Sequence, residues 1–165
     1  AKLFFDRTID REYYSLVWGA FADEGGVYEG DIGRSSRDRK LFAVVKKDGK
    51  PAKTEFHVVE RYEYLTLVRI KLHTGRTHQI RVHFSTNGHP VFGDPAYLGD
   101  RVVYGGHNTR FRQVAEKLCK SVGRQMLHAR TLGFVHPETG EKLLFSAPIP
   151  KDMQMVIDRL KQESE

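Results

Sequence analysis

The chain has 165 residues, of which 39% are apolar, so one domain with a packed core is the default. Lys and Arg outnumber Asp and Glu by 27 to 21, a net charge of +6 that suits an acidic partner such as nucleic acid and equally fits a merely basic soluble protein. A single cysteine, Cys119, excludes an internal disulfide and a multi-cysteine zinc site; with no membrane-length apolar run and no signal-peptide pattern, a cytoplasmic location is expected.

Residues 1–8 include Leu3, Phe4 and Phe5, apolar for a free terminus, and read as the tail of an upstream segment. Residues 13–18 predict a strand with Tyr13, Ser15 and Val17 on one face and Tyr14, Leu16 and Trp18 on the other. Gly25 and Gly26 mark a turn. Residues 30–40 read as a loop carrying Arg34, Arg37, Arg39 and Lys40, a basic cluster that suits phosphate contacts; a solvated basic loop is the plain alternative. Residues 41–45 predict a strand and Asp48-Gly49 a tight hairpin turn, after which residues 54–60 and 65–72 continue an antiparallel sheet.

That sheet turns over at Thr74-Gly75. Thr77 is placed to cap a short helix, Gly88 to end it and Pro90 to prevent its continuation. Ile80, Val82 and Phe84 also alternate, so a strand competes, but the capped ends favour the helix. Two arginines, a glutamine and three histidines gather here, a poor way to build a core and a good way to line a cleft. His73, His78 and His83 recur every five residues, about 140° off a common helix face, so they do not converge as metal ligands. A buried guanidinium in this stretch, Arg81 above all, can hold a carboxylate by two parallel bonds. Asp94, in Gly93-Asp94-Pro95, reads as a turn residue whose carboxylate caps local amides.

Residues 97–107 lack periodicity and read as a loop. Asn108 caps a helix with Phe111, Val114, Ala115 and Leu118 on one face. Residues 131–135 and 142–145 flank a five-residue turn, and Asp152 is placed to cap a last helix with Met153, Val156, Ile157 and Leu160 on one face. The pattern is α+β: a mixed, mostly antiparallel sheet with a few flanking helices.

Residues 73–83, His-Thr-Gly-Arg-Thr-His-Gln-Ile-Arg-Val-His, followed by Gly93-Asp94-Pro95-Ala96-Tyr97, closely resemble the signature of RluA/RluD-type pseudouridine synthases. Arg11-Glu12-Tyr13, the stretches at residues 124–129 and 136–140, and Ala147-Pro148-Ile149-Pro150 resemble further family motifs in the same order. The resemblance implies isomerisation of uridine to pseudouridine in structured RNA, ribosomal large-subunit RNA before transfer RNA, with neither cofactor nor metal. It implies catalytic roles for Arg81, Tyr13 and Leu127: orienting a nucleophilic aspartate, packing the flipped base, and forming an apolar floor. Arg34, Arg37, Arg39, Lys40, Arg76, His78 and Gln79 are then the expected RNA contacts. The family's nucleophile sits in a His-Arg-Leu-Asp stretch, which these residues do not contain. Residues 1–165 are therefore expected to be the C-terminal portion of a catalytic domain, inactive alone, with Arg81 lacking its partner. A non-catalytic RNA-binding module and a metal-dependent nuclease are the competing readings.

Overall fold

The computed structural model describes residues 9–165, so Leu3, Phe4 and Phe5 lie outside the described residues. Strand β1 (Asp10–Trp18) pairs antiparallel with β6 (Leu65–Leu72) on one side and β7 (Leu127–Val135) on the other. Outside β6 lie β5 (Lys53–Arg61) and β2 (Gly25–Glu29), and outside β7 lies β8 (Lys142–Ser146). The result is one antiparallel six-stranded sheet in the order β2-β5-β6-β1-β7-β8. A separate hairpin pairs β3 (Ile32–Arg34) with β4 (Phe42–Val44). The α+β expectation holds.

The period of two in β1 sorts its side chains between two cores. Leu16 and Trp18 face α2 (Thr109–Val122) and α3 (Lys151–Glu163), packing with Phe111, Leu118, Met153, Ile157 and Leu160. Val17 faces the other way with Val68, Ile70 and Phe56, and α1 (Gln79–Thr86) lays Ile80 and Phe84 on them. Tyr13 and Leu127 pack at the margin of this second core, and Tyr14 against the first.

Residues 90–92 run against the end of β1. The Trp18 amide donates to the Pro90 carbonyl, Phe92 N–H to Leu16, and Met126 N–H to Phe92. This tie fixes Asp94 beside the start of β7. A Cβ at Gly93 would land on the Arg124 carbonyl oxygen, so glycine is required there.

Several local expectations need correction. Thr77 does not cap α1. The N-cap is His78, in left-handed conformation with φ 54°, and the Gln79 side chain reaches back to accept the Arg76 amide. The other end behaves as read: Gly88 has φ +83°, and His89 N–H to Phe84 with Gly88 N–H to Ser85 complete a Schellman motif. Gly25 and Gly26 open β2 instead of turning; a Cβ at Gly25 would stand 2.5 Å from the Phe56 carbonyl oxygen, so they serve close strand approach. The basic loop at residues 30–40 is partly strand, because Ile32 and Arg34 pair with Val44 and Phe42. Asn108 caps α2, accepting the Phe111 amide at 3.0 Å. Asp152 does not cap α3; it lies in the first turn, and both its oxygens accept from Arg124.

Candidate active site

The site is built on the sheet face that carries α1. Tyr13 stands opposite Ala129 on β7, and Leu127 opposite Ser15, so Tyr13 and Leu127 are diagonal neighbours on one face. Such neighbours lie about 7–8 Å apart, within reach of an aromatic side chain. Ala129 is exposed, and Tyr13 and Leu127 are half-buried. This end of the face is therefore open, whereas around Val17 it is closed.

Arg81 follows Ile80 on α1. Its Nε donates to Asp94 Oδ2 and its Nη2 to Oδ1, both at 2.8 Å. The expectation that Arg81 lacks a partner in this chain is thus corrected: the turn aspartate supplies one. Asp94 is fully buried, and its Oδ1 also accepts the Ala96 amide at 3.0 Å, as the turn reading required. Wholly buried behind Arg81, this carboxylate is out of reach of a ligand. Arg81 retains part of its donor set. A guanidinium has five N–H bonds, and two point at Asp94. Hydrogen bonding to Asp94 holds the Arg81 pKa above its ordinary value.

Tyr97 joins this pair to the basic hairpin. The Arg81 guanidinium lies over its ring, 5.0 Å from the centroid. Its hydroxyl accepts the Phe42 amide at 3.0 Å and lies 2.7 Å from His78 Nδ1. Burial and the Arg81 charge depress the His78 pKa, so the imidazole is neutral near pH 7. Sequence reasoning missed Tyr97 as a junction; its position three residues after Asp94 was the available signal.

A second chain of bonds ties α1 to the sheet. Gln79 Nε2 donates to Thr54 Oγ1 at 3.0 Å, and Thr54 Oγ1 lies 2.8 Å from His83 Nδ1. His83 Nε2 faces the Gly30 carbonyl at 3.0 Å, which can only accept, so Nε2 carries the proton and Nδ1 accepts from Thr54. Burial holds the His83 pKa low.

The expected RNA contacts divide. Arg37, Arg39 and Lys40 are exposed on the hairpin. Arg34 Nη1 donates to the Arg39 carbonyl, and its guanidinium lies 4.5 Å over Phe42. Arg76 Nε donates to the Pro51 carbonyl. Gln79 is only 2% exposed and its amide is occupied by Thr74, Arg76, Lys53 and Thr54, so it shapes the turn at the start of α1. The three histidines have separate surroundings: His73 near Glu55, His78 on Tyr97, and His83 between Thr54 and Gly30.

A family described as RNA pseudouridylate synthase matches residues 1–86, more than half of the sequence. The chain belongs to that family. Pseudouridine synthases are also its relatives over nearly its whole length. It is 40% identical over 166 residues to an uncharacterized RNA pseudouridine synthase of Chlorobaculum parvum, covering 98% of this chain and 50% of that protein. It is 42% identical over 159 residues to a ribosomal large subunit pseudouridine synthase D of Vibrio parahaemolyticus, covering 96% and 47%. The chain spans about half the length of these curated relatives. Among solved structures, human RNA pseudouridylate synthase domain containing 1 superposes with a TM-score of 0.67 at 25% identity, covering 97% of this chain and 69% of that one.

Proposed function

We propose that this chain forms the uridine-binding wall of an RNA pseudouridine synthase acting on ribosomal large-subunit RNA. One arrangement carries the reading. Tyr13 and Leu127 sit diagonally on the open end of the sheet face onto which α1, bearing Arg81, is packed. The relatives named as large-subunit synthases support the choice of RNA.

RNA binding begins on the exposed Arg37, Arg39 and Lys40, and the target uridine leaves its stack to enter the site. Tyr13 packs against the uracil and Leu127 floors it. An aspartate nucleophile attacks covalently, at the sugar or at the base, and the bond between ribose C1′ and uracil N1 breaks. The freed uracil rotates, C5 bonds to C1′, the aspartate is released from its covalent bond, N1 takes up a proton, and the C5 proton leaves to a base, with Tyr13 the candidate acceptor. Arg81, anchored by Asp94 along one edge, offers its remaining N–H bonds to orient the nucleophile. No step calls for a metal or an organic cofactor.

The family's His-Arg-Leu-Asp stretch is absent from the 165 residues, and Asp94 is engaged at both oxygens. The isolated chain is therefore proposed to bind structured RNA without isomerising it. Tritium release from C5-tritiated uridine in a large-subunit RNA transcript tests this. The chain alone should release none. Fused to the portion of the Vibrio relative that it does not span, it should release tritium, and Arg81→Ala should abolish that release. Turnover by the chain alone overturns the need for an added nucleophile. A folded fusion that binds the transcript but never isomerises it favours a non-catalytic RNA-binding module.

A further inference from the structure

An open groove of about 390 Å³ separates the β3–β4 hairpin from the C-terminal half of α1, within the ~300–1,000 Å³ usual for ligand sites. Phe42, Val82 and Tyr97 line its apolar part, Arg37 and Thr86 are among its polar lining, and Leu98 forms one wall. Leu98 is unusual twice over. It is 57% exposed, and its backbone is left-handed with φ +69°, a conformation that favours glycine. An exposed leucine in a disfavoured backbone adds little to the core, and strain of this kind gathers at ligand sites.

The charge around the groove is mainly positive. Arg34, Arg37, Arg39 and Lys40 fall within seven residues. The acid among them, Asp38, uses Oδ1 to accept the Lys40 amide. Arg34 is held on the Phe42 ring, while Arg37 is exposed at the groove. An apolar platform beside an exposed guanidinium is the chemistry of a nucleotide subsite: base on the platform, phosphate on the cation.

We propose that this groove takes one unstacked nucleotide of the RNA substrate, other than the reacting uridine. Its base lies against Leu98 and Phe42, and its phosphate on Arg37. This rests on the reading of the protein as RNA-binding and adds a second point of attachment. The Tyr97 ring is the shared wall, with the groove on one side of the residue and Arg81 over its ring.

Leu98→Gly separates function from folding, because glycine is at ease at that φ. The full 165-residue chain is titrated into a fluorescein-labelled RNA stem-loop with a uridine-rich loop, and binding is read by anisotropy across a salt series. Leu98→Gly is expected to melt at or above the parent temperature yet bind about fivefold or more weakly, through loss of the leucine's apolar contact with the base. Arg37→Gln should flatten the slope of log affinity against log salt by about one. With 4-thiouridine in the loop, cross-links should fall in peptides holding Phe42 or Leu98. If the parent chain binds but Leu98→Gly stays within twofold of it, the subsite is refuted and RNA binding stands. If the groove instead captures an acidic peptide in competition with the stem-loop, the subsite is also refuted. If the parent chain binds no RNA, both readings fall.

Discussion

Removing the Asp94 carboxylate tests the clamp on which the site is built. Asp94→Ala deletes two charge-assisted bonds of 2.8 Å and leaves the Ala96 amide without its acceptor. The Arg81 side chain is 13% exposed and Asp94 wholly buried, so the guanidinium would stay largely dry with no counter-charge. Breaking a buried ion pair by removing one partner costs about 3–5 kcal/mol. The small exposure lets Arg81 shift toward water, which argues for about 3 kcal/mol. For a chain of this size that is a fall of roughly 6–12 °C in Tm. Urea unfolding of the parent, Asp94→Ala, Arg81→Met and the double variant closes a thermodynamic cycle. The double variant should lose less than the sum of the singles, by at least about 1 kcal/mol, because it buries no unpaired charge. A loss below 1 kcal/mol for Asp94→Ala, with an unchanged urea slope, would refute the claim that this pair pins α1 to the loop after Gly93.

Other outcomes follow from groups described above. His83 is neutral in the fold with its pKa held low, so the unfolded chain binds the extra proton first; stability is full above about pH 6.5 and falls as pH drops below it. A urea midpoint flat from pH 7 to 5 in the parent, or falling as steeply in His83→Gln, would count against that. Cys119 is buried and its thiol pushed up to about 12, so Ellman's reagent should leave it unreacted in the native chain and modify it promptly in urea. Gly99→Ala would drive a Cβ onto the Val91 carbonyl oxygen and disturb the turn that accepts Trp18 Nε1–H, so loss of soluble, cooperatively folding protein is expected. Asn108→Ala removes the acceptor for the Phe111 amide and should cost about 1 kcal/mol by urea unfolding.

What the sequence made legible was local and periodic. Alternation in β1 separated Tyr13 from Tyr14 correctly, and Gly88 and Asn108 marked helix ends because backbone conformation and capping chemistry act over three or four residues. The failures were also local in appearance but were decided elsewhere. Thr77 had the right chemistry for a cap, yet the Gln79 side chain closes the helix start, held in turn by Thr54 and the Lys53 carbonyl on β5. Gly25 and Gly26 look like a turn until the partner strand is known. Asp94 was read as a turn-former, which it is; that its carboxylate also binds a guanidinium thirteen residues earlier depends on the tie between Phe92, β1 and Met126. The groove beside Leu98 left no periodic trace, since its lining comes from a hairpin, a helix and a loop.

The Tyr97 hydroxyl has a consequence for how mutational data on this protein combine. One oxygen serves the Phe42 amide in the hairpin and the His78 imidazole at the helix start, while the same ring underlies Arg81. Alterations at His78 and Arg81 reach each other through this one side chain, so their effects will not sum, whereas any residue but proline keeps the amide at position 42. Lineages that drift at 78 will be constrained at 81.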